Sequence, residues 1–117
     1  MTTEHTIIES EEVLRSPRVR VSELAALATP ESEAVECHLV DLSPDGALVQ
    51  TPDPLEIGTP VSLDVTLPAG RRSKRLVLSG TICRGDGRGM GIHFDDLPHE
   101  IRDFLAEFTY NRILRFW

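Results

Sequence analysis

Val61-Ser62-Leu63-Asp64-Val65-Thr66-Leu67 alternates apolar and polar side chains without a break. Successive side chains of an extended chain point to opposite faces, so this stretch buries one face and wets the other. That predicts a half-buried strand over residues 61–67, as antiparallel sheets use. Turn chemistry bounds it on both sides: Ile57-Gly58-Thr59 before it and Pro68-Ala69-Gly70 after it.

The same pattern extends in both directions. Leu76, Val77, Leu78 and Ile82 predict a strand over residues 76–84, with Gly80 a candidate bulge or tight bend. Asp86-Gly87 is a favoured hairpin pair, and a last strand follows over 89–94. Toward the N-terminus, Val19, Val21, Leu24 and Leu27 predict a strand over 18–27. Val35, Cys37 and Leu39 share one face of a strand over 35–42, opposite Glu36 and His38. Ser43-Pro44-Asp45-Gly46 is a strong turn signal: proline sets φ at the second place and glycine tolerates positive φ at the last. A short strand over 47–50 then stops at Pro52 and Pro54.

After the last strand, Asp95 and Asp96 offer carboxylates to free helix amides, and Pro98 suits a first helical turn. Ile101, Phe104, Leu105 and Phe108 recur at helical spacing, which predicts an amphipathic helix reaching about Tyr110 or Arg112. The fold expected is mainly β, a six-stranded antiparallel barrel of Greek-key or split type closed by a C-terminal α-helix. The 117 residues suffice for one domain. Residues 1–14 are read as a flexible or loosely docked arm, 15–112 as the barrel with its helix, and 113–117 as an apolar tail.

The charge pattern narrows the function. The net charge is −7, from 12 basic and 19 acidic residues, so general nucleic-acid binding is not expected. Residues 37–70 carry five acids and no base, whereas 71–91 carry six basic residues against Asp86 alone. Gly70 to Arg75 is read as a solvated hairpin loop. No apolar stretch approaches the roughly 18 residues of a membrane span, and the acidic start is unlike a secretory signal.

Chemistry-bearing constellations are few. His5, His38, His93 and His99 lack metal-ligand spacing, and Cys37 and Cys83 are too far apart for a Cys-x-x-Cys motif. No nucleophile elbow surrounds Ser43. The glycine-rich run from Arg84 to Gly91 fails Gly-x-Gly-x-x-Gly in every register. No enzyme, metal or cofactor is therefore expected.

Three features remain: arginines at Arg15, Arg18 and Arg20 entering the first strand, Asp41-Leu42-Ser43-Pro44-Asp45-Gly46 between the second and third, and Gly89-Met90-Gly91-Ile92-His93-Phe94 as the closing strand. Together they resemble the PilZ domain family over about residues 15–110. That pattern joins Arg-x-x-x-Arg to Asp/Asn-x-Ser-x-x-Gly and a glycine-rich closing strand. The resemblance implies a cytoplasmic bacterial signalling module, a receptor or adaptor for cyclic di-GMP, with Arg15, Arg18, Arg20, Asp41, Ser43 and Gly46 at the ligand. The residue types suit that role. Guanidinium forks bridge phosphates and pair with guanine edges, an aspartate accepts from a guanine N–H, and a serine hydroxyl adds a short polar contact.

The chain departs from the family at the first motif. Leu14 stands four residues before Arg18, Val19 four after Arg15 and Ser16 four before Arg20, so Arg-x-x-x-Arg is degenerate here. Two expectations follow. In one, cyclic di-GMP binds with reduced strength, orders the N-terminal arginine arm and changes a protein-interaction surface. In the other, the domain acts as a protein–protein adaptor without the ligand, and Asp41 and Ser43 merely pin a turn. Ile113, Leu114, Phe116 and Trp117 either cap one mouth of the barrel or offer an apolar surface to an unidentified protein partner.

Overall fold

The computed structural model describes residues 18–114. Six strands precede one helix: β1 (Val19–Thr29), β2 (Ser32–Ser43), β3 (Gly46–Gln50), β4 (Pro60–Ala69), β5 (Arg72–Asp86), β6 (Gly89–Phe94) and α1 (His99–Leu114). The strands close into an antiparallel barrel in the order β1-β2-β3-β6-β5-β4. β1 and β4 complete the ring, with Ala25 opposite Val65 and Leu27 opposite Leu63. Every strand has a stretch paired on both sides, and the parts that outrun the ring, such as Ser32–Glu36 of β2 and Arg72–Arg75 of β5, are paired on one side only.

The alternation expected of β4 is present. Val61, Leu63, Val65 and Leu67 are 0–5% exposed and face the interior with Leu39, Leu42, Leu78, Ile82 and Ile92. The strands run farther than their apolar pattern. Ser32–Glu36 of β2 and Arg72–Arg75 of β5 are exposed throughout, held by the ladder rather than by burial. On the β4–β5 hairpin, Arg75 grips Asp64 through two hydrogen bonds of 2.9 and 2.5 Å. This contact holds the Asp64 carboxyl below its ordinary value.

Several local expectations are corrected. The β5–β6 loop is Gly87-Arg88 rather than Asp86-Gly87, because Asp86 pairs with Gly89 and its carboxylate accepts from the Arg88 amide at 2.7 Å. The β5 irregularity lies at Cys83, not at Gly80; Gly80 and Thr81 are paired with β4 on one side and β6 on the other. Asp95 accepts from the Thr81 hydroxyl at 3.3 Å instead of capping the helix. Pro98 stands just before α1, and its carbonyl accepts from Ile101 and Arg102.

Leu105 and Phe108 seal the core from α1, with Ile101 and Phe104 packed partly buried beside them. The helix continues through Asn111-Arg112 to Leu114, so Ile113 and Leu114 are helical rather than part of a tail. Arg112 lies over the Phe108 ring, 4.9 Å from its centroid, which lets a polar residue stay on the packed side. Ile113 packs against the core.

The two thiols differ sharply. Cys37 is 3% exposed, and burial, with the Glu36 charge adding, pushes its pKa up to about 11. Cys83 is exposed. A thiol reagent at neutral pH is expected to modify Cys83 quickly and Cys37 only on unfolding; equal rates would contradict this placement. Unfolded Cys37 ionises from its ordinary value of 9.0 while the folded thiol stays protonated, so stability falls as pH rises from there toward about 11. Denaturant titrations across this range should show a smaller fall for Cys37→Ala.

Candidate functional site

The site begins with a break in strand periodicity. Counting by twos from Cys37 and Leu39 would point Asp41 into the core. Instead, Val40 is an extra residue of β2 relative to β3, since Leu39 pairs with Val49 and Asp41 already with Leu48. Opposite it, β1 places Val21 and Ser22 against the single Val40. Such a bulge re-aims side chains. Leu42 now fills the core at 0% exposure, and Asp41 turns to the outer face directly across from Arg20.

Arg18 stands one residue before β1, and its guanidinium donates to the Asp41 carboxylate. The pair is half-open to solvent, with side chains 43% and 20% exposed. An ion pair this open contributes only ~0–1 kcal/mol to folding, and its charges remain available to another partner. Arg20 is exposed beside it. Thus Arg18, Arg20 and Asp41 come together on one outer face.

Ser43 has a different place. It is 2% exposed, and its hydroxyl accepts from the amides of Asp45 and Gly46 at 3.1 and 3.2 Å while donating to the Gly46 carbonyl at 3.4 Å. That hydroxyl holds the β2–β3 turn. Gly46 is not in the left-handed region expected for the end of this turn; the positive-φ residues are Gly58, Gly70 and Gly89. Its requirement is close approach: a Cβ there would lie 2.3 Å from the Ile92 carbonyl oxygen of β6. The turn is braced further by the Phe94 amide, which donates to the Asp45 carbonyl at 2.9 Å, and by Arg102 of α1, 3.4 Å from the Asp45 carboxylate.

Arg15, Phe116 and Trp117 lie outside the described residues, as do residues 1–14. Arg102 was not anticipated as a brace, since its partner is distant in sequence and carries no motif. Among the described residues no group of three His, Cys, Asp or Glu is placed to hold a metal ion, and no helix is long and apolar enough to cross a membrane. Concavities among the described residues lie away from Arg18 and Asp41, two of them beside hairpin loops. One, about 470 Å³, lies between the β4–β5 hairpin and α1; the other, about 520 Å³, lies beside the β5–β6 loop.

Comparison with known proteins bears on this arrangement. The family model described as "PilZ domain" matches residues 13–111. Among solved structures, the Bacillus subtilis inhibitor of motility (MotI/DgrA) superposes with a TM-score of 0.75 at 14% identity, over 86% of this chain and 51% of that one. The chain thus spans about half the length of that protein, and the likeness is one of fold. The PilZ domain of CeSA from a cellulose-synthesizing bacterium superposes with a TM-score of 0.56 at 28% identity, over 78% of this chain and 91% of that one. No curated protein matches the chain.

Proposed function

The chain belongs to the PilZ domain family, and we propose that it is a cyclic di-GMP-responsive signalling module of that family, with no catalytic role. Ligand seats on the outer face of β1 and β2, against Arg18, Arg20 and Asp41, and Arg15 joins them from the preceding segment. Ligand binding fixes the N-terminal arginine arm and changes the surface offered to a protein partner.

One observation carries this reading. The guanidinium of Arg18 meets the carboxylate of Asp41, so the arginine segment and the Asp-x-Ser-x-x-Gly turn converge although 23 residues separate the pair. Phosphates compete for Arg18 and Arg20, and the released Asp41 accepts from a guanine N–H edge. Ser43 and Gly46 act indirectly here, by holding the turn that presents Asp41.

A second reading has its own support. The degenerate arginine motif and the engagement of the Ser43 hydroxyl by its own turn favour a domain that kept the fold and signals by protein contact alone. Of Ile113, Leu114, Phe116 and Trp117, Ile113 is already packed against the core, so the other three are the candidate contacts in that case. Titration calorimetry of the full chain with cyclic di-GMP separates the two. Saturable heat below about 100 μM ligand is expected; no saturable heat at that concentration removes the ligand reading and leaves the adaptor.

A further inference from the structure

A continuous row of paired residues crosses five strands of the outer face. Arg20 pairs with Asp41, Asp41 with Leu48, Leu48 with Gly91, and Gly91 with Arg84. The far end of the row is built as the near end is. Counting by twos from Ile82 would send Arg84 into the core, but Cys83 is an extra residue of β5, between Ile82 opposite Ile92 and Arg84 opposite Gly91. A bulge on β2 and another on β5 therefore each turn one charged side chain outward onto the same row.

The floor between them is shaped for something flat. Gly91 has no side chain, and a Cβ there would sit 2.7 Å from Cγ and 2.8 Å from Nε of Arg84, so the arginine lies down across the backbone. Leu48 beside it is only 7% exposed yet belongs to no part of the interior cluster. None of the ion pairs among the described residues includes Arg84.

From these observations we infer that Arg84 is a third arginine of the ligand face, its guanidinium plane lying over Gly91 so that one purine of a cyclic dinucleotide stacks on it. The inference rests on the cyclic di-GMP reading above. Strands lie about 4.8 Å apart, so Asp41 and Arg84 stand roughly 14 Å apart along the row. A ligand carrying a purine on each side of a phosphate ring bridges that span, one base at Asp41 and the other on Arg84. A planar cation suits the second base because it stacks as well as attracts. Arg84 thus supplies, from β5, a guanidinium that the degenerate leader motif lacks at Leu14.

The test is calorimetry with cyclic di-GMP on the wild type, Arg84→Ala, Arg84→Lys and Arg88→Ala, with a thermal melt of each. The expected result is about a tenfold loss of affinity for both Arg84 variants and none for Arg88→Ala, which removes the same charge from the nearby loop. Unchanged affinity in Arg84→Ala, with only a lower melting point, makes the residue a cover for Leu48 and overturns the inference while the binding reading stands. Full affinity in Arg84→Lys reduces it to a charge and overturns the stacking assignment. A wild type that binds nothing overturns the binding reading and the inference with it.

Discussion

Gly46→Ala is expected to destabilise the barrel by about 3 kcal/mol, the upper end of what one inserted methyl costs in a packed interior. The methyl would lie 2.3 Å from the Ile92 carbonyl oxygen, and that atom is backbone, with no rotamer to escape through. β3 must move off β6. The movement disturbs the Phe94 N–H hydrogen bond to the Asp45 carbonyl and the Ser43 hydroxyl network, two of the three devices that hold the β2–β3 turn. For a domain of this size the midpoint of thermal unfolding should fall by roughly 12–24 °C. Gly87→Ala is the control, since nothing lies within 4 Å of a Cβ there. A Gly46→Ala melt within two or three degrees of wild type would mean that β3 and β6 are not this close.

Arg18→Ala should act on binding and spare the fold. The ion pair with Asp41 is half-open to water, so its loss should barely move the melting point. The ligand loses a charge-assisted contact worth about 1.5–3 kcal/mol, which weakens binding on the order of 10-fold to 150-fold. Arg71→Ala, at the exposed tip of the β4–β5 hairpin, changes net charge equally and should leave affinity near wild type. If both variants bind as wild type does, Arg18 is not at the ligand, and the site belongs elsewhere on the barrel.

The interior strands were legible because burial writes a period of two into them. Val61 to Leu67 and Gly89 to Phe94 show it clearly. Outside the core that signal stops while the hydrogen-bond ladder does not. Residues 32–34 and 72–75 are strand with every side chain in water, so their apolar pattern could not reveal them. The end of α1 was hidden for a related reason. Asn111-Arg112 looks like a polar stop, yet Arg112 packs its guanidinium on Phe108 and the helix goes on.

The candidate site divides the same way. Asp41, Ser43 and Gly46 were visible as a motif, whereas their separate duties were not. The motif spacing is the same for an outward carboxylate and for a hydroxyl folded into its own turn, and the β2 bulge decides between them. The bulges at Val40 and Cys83 leave no mark of composition, and with them went any sign that Arg84 shares a row with Asp41. Between β1 and β2, two irregularities offset each other, one between Leu27 and Thr29 and one between Arg20 and Glu23. The pairing of Arg20 with Asp41 is therefore the one that plain counting from the hairpin tip would give.

The closure of the ring also bears on how the chain reaches this state. β1 meets β4 through Ala25 and Val65, and β3 meets β6 through Val49 and Met90, each pair some 40 residues apart along the polypeptide. Neighbouring hairpins form early, but these two seams wait for distant segments to arrive. Loop entropy must be spent before they reward it, which places the domain among slow, millisecond-to-second folders. Until β6 docks, β3 offers its unpaired amides to any extended peptide nearby, and the nascent molecule is most open to association during that interval.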